Sequence, residues 1–152
     1  MSLSEASMQA DAIATVIKRM RGFDNQPALF YRGVFTSFGE LCELIDATRQ
    51  TLEHEGILAG DVVAVLGDYT PQNAALILAL AQMNAISVPL TSAAAQQMED
   101  FFLIAGAQYL TRTDATVKFS VEALPEKPVA DLVKTFRTQS KPGLIVFSSG
   151  ST

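Results

Sequence analysis

The last residues of the chain have the types and spacing of an anion-binding loop. An apolar segment at 144–147 is predicted to be a strand, and it runs directly into Ser148, Ser149, Gly150, Ser151 and Thr152. Gly150 permits a tight turn with positive φ, so successive backbone N–H groups can converge on an anion while the hydroxyl groups add donors. The segment therefore predicts a phosphate-binding loop, although serine and glycine after a strand more often form an ordinary surface turn.

Helices and strands are predicted to alternate ahead of this loop. The apolar residues at 8–20 indicate an amphipathic helix that follows Ser4 as a candidate cap and ends near Gly22, and a β-hairpin is predicted at 28–36. A capping box formed by Ser37 and Glu40 opens a second helix, which ends at Gly56. Further strands are predicted at 62–66, 86–90, 108–111, 117–121 and 144–147. One helix begins at Pro71; another is capped by Ser92, ends at Gly106 and has an inner face of Met98, Phe101, Phe102 and Ile104. The connection over 124–143 is expected to hold a single helical turn.

This alternation predicts an α/β fold with a layered, mainly parallel sheet flanked by helices. We expect two parts: residues 1–56 with a helix, a hairpin set apart from the main sheet and a second helix, and residues 57–152 with the parallel α/β unit. The loop at 148–152 follows the last strand. Parallel sheets bind ligands beyond the carboxyl ends of their strands, so the loop lies where a ligand is expected.

Composition excludes several classes of partner. The 152 residues include 11 Lys and Arg against 16 Asp and Glu, with a net charge of -5 and no basic cluster, so neither nucleic acid nor an anionic membrane surface is expected. The longest apolar stretch, 74–81, is far shorter than the roughly 20 residues of a membrane span. The single cysteine, Cys42, cannot form an internal disulfide, and no secretion signal precedes it. We therefore expect a cytoplasmic protein.

Other chemically capable residues favour structural roles. His54 lies between Glu53 and Glu55 near a helix end, which is typical of a solvated face. Cys42 shares an apolar helix face and has no nearby cation in the sequence pattern to lower its pKa, so we expect inert packing. Cysteine and histidine are too few for a zinc site, and neither a dinucleotide-binding glycine motif nor a Walker loop is present. The chain thus offers no catalytic residue of its own.

Three segments in order resemble the N-terminal part of the adenylate-forming enzymes, the superfamily of acyl-CoA synthetases, nonribosomal adenylation domains and beetle luciferases. They are FTSFGELCELIDATRQTLEHEGILAGDVVAVLGD at 35–68, PQNAALILALAQMNAISVPL at 71–90 and IVFSSGST at 145–152. The last is similar to the start of the family's phosphate loop. Asn84 stands where the family usually has glycine, and asparagine tolerates a left-handed backbone better than most residues.

The resemblance implies a reaction and its participants. In the family this loop holds the β- and γ-phosphates of ATP, so Ser148, Ser149, Gly150, Ser151 and Thr152 would be the nucleotide-binding residues. A carboxylic acid would attack the α-phosphate of ATP with Mg²⁺ to give an acyl adenylate. A thiol, usually that of coenzyme A, would then displace AMP.

The resemblance also implies that the second half of the loop and the segments for adenine, metal and acid lie beyond this sequence. We therefore expect a fragment of an acid-activating ligase that is inactive by itself. Mean hydropathy of +0.24 with only 18% charged residues fits either a well-packed core or apolar faces that meet other protein. Exposed faces predict a homo-oligomer. The alternative function is a non-catalytic α/β interaction module that pairs with another chain.

Overall fold

The structure, a computed structural model, describes residues 3–113 and 118–148. The helices are α1 (Leu3–Phe23), α2 (Phe38–His54), α3 (Pro71–Gln82), α4 (Met98–Ala105) and α5 (Asp131–Thr138), and a 3₁₀ helix (Ser92–Gln97) precedes α4. The strands are β1 (Pro27–Tyr31), β2 (Val34–Ser37), β3 (Val62–Leu66), β4 (Ile86–Leu90), β5 (Tyr109–Thr113), β6 (Phe119–Ala123) and β7 (Gly143–Leu144).

The described strands form two separate sheets. Strands β1 and β2 make an antiparallel hairpin, and the main sheet has the order β6-β5-β3-β4-β7. Central strand β3 pairs in parallel with β4 and β5, β7 pairs in parallel with β4, and β6 runs antiparallel to β5. The layered, mainly parallel α/β fold is confirmed, and so is the separation of the hairpin from the main sheet.

Local sequence signals set the starts of α2 and α3 and the turn between β1 and β2. Ser37 Oγ accepts a hydrogen bond from the Glu40 N–H at 3.2 Å, and the Ser37 N–H donates to the Glu40 carboxylate at 2.7 Å, which completes the predicted capping box of α2. The Thr70 hydroxyl caps α3 ahead of Pro71 by accepting a single hydrogen bond from the Asn73 N–H at 3.1 Å. Arg32 and Gly33 both have positive φ, as a two-residue hairpin turn requires.

The core lies on both faces of the main sheet because successive residues of β3 point to opposite sides. On one face Val63 and Val65 pack with α1, α2 and α3; on the other Val62 and Ala64 pack with β4 and α4. Fully buried side chains on the same face as Val63 and Val65 include Ile45 and Leu52 of α2 and Leu76 and Leu80 of α3. Residues 1–56 and 57–152 therefore share a core, and their description as two parts stays a prediction.

The last strand is shorter than its sequence predicts. Four apolar residues at 144–147 suggest a full strand, but β7 spans only Gly143–Leu144. The Ile145 N–H still donates to the Ser87 carbonyl at 3.0 Å, after which the segment leaves the ladder. Among the described strands, β7 pairs only with β4, on one side. The apolar residues at 144–147 favour a strand, but they do not show whether a second strand is present to pair with it.

The region before β5 also differs from its prediction. Ser92 begins a 3₁₀ helix without a side-chain cap, and α4 begins only at Met98. Ile104 is 59% exposed rather than inward, because Phe102 and Ala105 set the buried face. Gly106 ends α4 in the left-handed conformation, as predicted.

Three smaller differences separate the structure from the predicted helices and strands. The connection over 124–143 holds the eight-residue helix α5, which is longer than the predicted single turn. Ser4 lies inside α1, so it is not the cap that the sequence suggested. Val117, predicted to begin a strand, lies outside the described residues, and β6 starts at Phe119.

Candidate functional site

The parallel strands end at one edge of the main sheet, which we call the carboxyl edge. It is formed by Gly67 after β3, Thr91 after β4, Thr113 at the end of β5 and the segment 145–148 after β7. Ser148 is exposed at this edge. The other predicted loop residues, Ser149, Gly150, Ser151 and Thr152, lie outside the described residues, so their phosphate-binding role stays a prediction.

A close approach of β7 to β4 determines where this loop begins. The Gly143 N–H donates to the Ala85 carbonyl at 3.1 Å, and the Ser87 hydroxyl donates to the Gly143 carbonyl at 3.4 Å. A Cβ at Gly143 would lie 2.5 Å from the Phe136 ring and 2.8 Å from Ile86 Cγ1. Only glycine therefore lets β7 fit between β4 and α5.

An aromatic contact fixes the chain just ahead of Ser148. The rings of Phe147 and Phe101 stack with centroids 4.3 Å apart and an interplanar angle of 28°. Phe101 belongs to α4, which packs on the main sheet through Phe102. Helix α4 thereby sets the direction in which the chain reaches the predicted loop.

A buried amide joins the other strand ends at the carboxyl edge. Asn73, in the first turn of α3, is 2% exposed, and its Nδ2 donates to the Asp68 carbonyl at 2.7 Å. The Thr113 hydroxyl donates to Asn73 Oδ1, and the Asn73 N–H donates to Thr70 Oγ1 at 3.1 Å. We call these four residues the Asn73 network. It holds the turn after β3 against the end of β5.

Gly67 is the residue that lets the Asn73 network form. It has φ of 141°, and a Cβ there would lie 2.7 Å from Asn73 Nδ2. Its N–H donates to the Leu90 carbonyl at 3.0 Å, which ties the ends of β3 and β4 together. Glycine is therefore needed both for its backbone conformation and for the space that the amide occupies.

A cavity of about 560 Å³ opens between the β1–β2 hairpin and the carboxyl edge. Its polar lining includes Arg32, Asp68, Thr70, Asn73 and Thr113. The Arg32 guanidinium lies 5.2 Å from the centre of the Tyr31 ring and 3.9 Å from the Asp68 carboxylate. Both charged groups are largely exposed, so this pair adds little stability and leaves Arg32 available to an anionic ligand.

Sequence reasoning missed the Asn73 network and this cavity. One signal was present: Gln72 and Asn73 are polar residues in the first turn of an otherwise apolar helix, directly after a strand that ends in Gly67 and Asp68. Gln72 is also buried and donates to Thr48 Oγ1 at 2.9 Å. Such buried polar groups need partners, but the sequence does not name them.

The remaining reactive side chains have structural roles. Burial raises the pKa of the Cys42 thiol, although Arg21 acts in the opposite direction, so the expectation that no cation influences this thiol was wrong while its packing role is confirmed. His54 is exposed, as predicted. Within 3–113 and 118–148, no three His, Cys, Asp or Glu residues cluster as a metal site would require, and no helix is long and apolar enough to cross a bilayer.

Residues 16–152 match the sequence model of a family described as AMP-binding enzyme. The chain belongs to this AMP-binding enzyme family. No curated protein sequence matches the chain. The family match extends through the predicted loop at 148–152, and it confirms the resemblance to adenylate-forming enzymes.

Solved structures from other proteins share the fold of this chain. The AMP-binding chain resembles the NpsA N-terminal subdomain of Klebsiella oxytoca in complex with 3-hydroxyanthranilyl-AMSN, with 24% identity, a TM-score of 0.65 and coverage of 93% of this chain and 37% of that one. It also resembles the inhibitor-bound N-terminal domain of FACL13 from Mycobacterium tuberculosis, with 17% identity, a TM-score of 0.64 and coverage of 91% and 41%. These likenesses establish the fold.

The AMP-binding chain corresponds to only part of the proteins it resembles. It covers 28% of an artificially fused adenylation-PCP di-domain, NpsA-ThdA from Klebsiella oxytoca, with 21% identity and a TM-score of 0.66. For the NpsA N-terminal subdomain in space group P21 the share is 32%. The chain thus spans well under half the length of these solved chains.

Proposed function

We propose that this chain is the N-terminal part of an ATP-dependent ligase that activates a carboxylic acid as an acyl adenylate. The observation that supports the proposal is the family match over 16–152, which includes the serine- and glycine-rich segment after β7. That segment follows a strand of the main sheet at the carboxyl edge, where parallel sheets bind ligands.

In this proposal the loop holds the phosphates that leave as pyrophosphate. Backbone N–H groups around Gly150, with the hydroxyls of Ser148, Ser149, Ser151 and Thr152, donate to the β- and γ-phosphate oxygens. Such donors position the nucleotide and stabilise charge that builds up on the leaving group. The acid's carboxylate attacks the α-phosphorus, and the bond from that phosphorus to the bridging oxygen of pyrophosphate breaks.

The acid, the metal and the acceptor complete the proposal. The NpsA complexes contain 3-hydroxybenzoyl-AMSN and 3-hydroxyanthranilyl-AMSN, which supports a carboxylic acid as the activated substrate. For the acceptor we propose the thiol of coenzyme A, which displaces AMP from the adenylate. Mg²⁺ would accompany ATP, and because the described residues hold no carboxylate cluster, none of them is assigned to the metal. The proposed location is the cytoplasm.

Pyrophosphate exchange into ATP tests the activity. In this proposal residues 1–152 supply only the start of the phosphate loop, and the residues that position the acid belong to the rest of the enzyme, so we expect no exchange above background with a panel of aliphatic and aromatic acids. The polypeptide encoded by the whole reading frame should exchange pyrophosphate with at least one acid. Exchange by residues 1–152 alone would show that the chemistry is wrongly assigned.

Titration with pyrophosphate tests the loop separately, by nuclear magnetic resonance of backbone amides. We expect the signals of residues 148–152 to shift, and Gly150→Val to weaken the response because a β-branched residue disfavours the positive φ predicted at this position. Gly22→Ala is the matched control, since nothing lies within 4 Å of a Cβ there. Shifts confined to other residues, or an unchanged response in Gly150→Val, would contradict the loop assignment.

The second candidate function, an interaction module, is favoured by the open side of β7. Leu144 and Val146 are 56% and 64% exposed beside a strand that has one neighbour among the described residues. Unpaired edges with apolar side chains recruit another strand, and we propose a second copy of this chain as the partner. Light scattering should then show a dimer that Val146→Lys dissociates, whereas Leu58→Lys, at another exposed apolar residue, leaves it intact. A monomer at high concentration would refute self-association.

A further inference from the structure

A second cavity lies at the amino ends of the parallel strands, opposite the carboxyl edge where the predicted phosphate loop follows β7. It has a volume of about 330 Å³ and is bounded by the end of α4, the start of β5 and the segment 124–129. Small-molecule sites begin at roughly this size, about 300 Å³. No part of the acid-activating reaction proposed above uses this cavity.

One wall of the cavity is apolar and closely packed. It is formed by Phe102, Leu124 and Val129. Gly106 allows this packing, because a Cβ there would lie 2.8 Å from Val129 Cγ1 and because its φ is 62°. The Leu124 N–H donates to the Gln108 carbonyl at 2.8 Å, which fixes the segment after β6 against the start of β5. The wall is therefore preformed rather than assembled by a ligand.

Some of the charged residues around the cavity form an ion pair, and others do not. Lys127 Nζ lies 3.1 Å from the Glu99 carboxylate, so these two residues neutralise each other. Arg137 is half-buried and forms no ion pair with any residue that the structure describes. Glu126, which also lines the cavity, is exposed. A half-buried arginine without a counter-charge among the described residues favours an anion from solution.

The acidic residue that shares a neighbouring cavity with Arg137 already has hydrogen-bond partners. Arg137 also lines a neighbouring cavity of about 260 Å³, together with Asp61 and Lys134. The Asp61 carboxylate accepts hydrogen bonds from the Leu58 N–H at 2.8 Å and from Gln108 Nε2 at 3.3 Å. Lys134 pairs with Asp131 at 3.0 Å. Asp61 and Lys134 thus have partners other than Arg137.

We propose that this cavity, the Arg137 cavity, binds a small monocarboxylate with an apolar body. The carboxylate would pair with the Arg137 guanidinium, whose planar geometry suits two parallel hydrogen bonds. The apolar body would lie on Phe102, Leu124 and Val129. Glu126 at the same cavity is not paired with Lys127 and would repel a polyanion such as a nucleotide, so a single negative charge is preferred.

Titration of the whole chain with defined probes tests this site, again by amide chemical shifts. Benzoate and hexanoate should shift the signals of Gly106, Ala107 and Gln108, whereas benzyl alcohol and hexan-1-ol, which lack the charge, should bind at least about tenfold more weakly. Equal binding of acids and alcohols would overturn the carboxylate assignment, and so would shifts located elsewhere.

Variants of Arg137 supply the second arm. Arg137→Gln should raise the Kd for benzoate at least about tenfold. Arg137→Lys should retain part of the affinity, because lysine keeps the positive charge but lacks the planar pair of N–H donors. Arg112→Gln, an exposed arginine at the far end of β5, is the matched control and should not change it. Unchanged binding in Arg137→Gln would refute the proposal. If that variant fails to fold, the acid and alcohol comparison and Arg137→Lys still decide.

The test of the Arg137 cavity and the test of the predicted phosphate loop can succeed or fail independently. Pyrophosphate should shift residues 148–152 without displacing benzoate, because the two sites lie at opposite edges of the sheet. Loss of pyrophosphate binding with intact benzoate binding would reject the phosphate loop alone. The reverse result would reject the Arg137 cavity alone.

Discussion

Thr113 and Asn73 are 40 residues apart in sequence, yet the Thr113 hydroxyl donates directly to the Asn73 side-chain oxygen. This bond joins the end of β5 to the first turn of α3, while Asn73 Nδ2 holds the turn after β3 through the Asp68 carbonyl. The ends of two parallel strands are thereby fixed at the edge where ligands bind.

Removal of the Asn73 amide should destabilise the fold. In Asn73→Ala the Asp68 carbonyl and the Thr113 hydroxyl both lose a buried partner, so we expect the free energy of unfolding to fall by about 1–3 kcal/mol. Urea denaturation measures it. Asn25→Ala, the same change at an exposed residue, should cost no more than about 0.5 kcal/mol. Equal costs for the two variants would mean that the network contributes nothing to stability.

Gly143→Ala should disturb the approach to the predicted loop. The added methyl group would collide with the Phe136 ring and Ile86, so β7 must move away from β4, at a cost of about 1–3 kcal/mol. Gly22→Ala, in the open part of α1, should instead be neutral or stabilising by about 0.5–1 kcal/mol. Thermal unfolding of both variants compares them, and a neutral Gly143→Ala would contradict the close packing.

Asn84 should be replaceable by glycine but not by alanine. Its φ is 57°, the left-handed conformation expected from its place in the sequence, and its carbonyl accepts the Gly60 N–H at 2.9 Å. Asn84→Ala should cost about 1–2 kcal/mol, because a Cβ without a local polar partner disfavours this conformation. Asn84→Gly should remain within about 0.5 kcal/mol of the native chain. Urea denaturation of the pair tests it; equal stabilities would show that backbone conformation is not the constraint.

The capping box of α2 should make stability depend on pH in the acidic range. The Ser37 backbone N–H, and then its hydroxyl, lower the pKa of Glu40 below its ordinary value of 4.5. A carboxyl with a lowered folded-state pKa contributes stability that is fully present above the unfolded value and is lost as the pH falls through the folded value. The native chain should therefore lose stability relative to Glu40→Gln below about pH 4.5.

Thermal midpoints of the native chain and Glu40→Gln, measured from pH 7 down to pH 3, provide the test. Glutamine can still accept the Ser37 N–H but does not ionise, so it is a matched control for the charge alone. A difference between the two midpoints that stays constant across this range would contradict a role for the ionised carboxylate.

Local chemistry was sufficient to predict most elements of the fold. The Ser37 and Glu40 capping box, the Arg32-Gly33 turn and the Gly106 helix end each depend on atoms within a few residues, so the sequence determines them directly. Strands β3 and β4 are apolar on both faces, which indicates a sheet covered on both sides. The family resemblance likewise depends on contiguous segments, and it was confirmed.

Contacts between distant residues decided the rest. The length of β7 depends on whether a neighbour is present to accept its hydrogen bonds, and the inner face of α4 depends on how the helix lies across the sheet. The partners of Asn73, and the lack of an ion pair to Arg137 among the residues that the structure describes, arise only when α3, β5 and α5 are packed together. By itself the sequence determined which residues form helices, strands and turns, because those preferences are local. The tertiary structure alone decided which polar groups are buried, paired or left for a ligand, because burial and pairing depend on what the folded chain brings alongside.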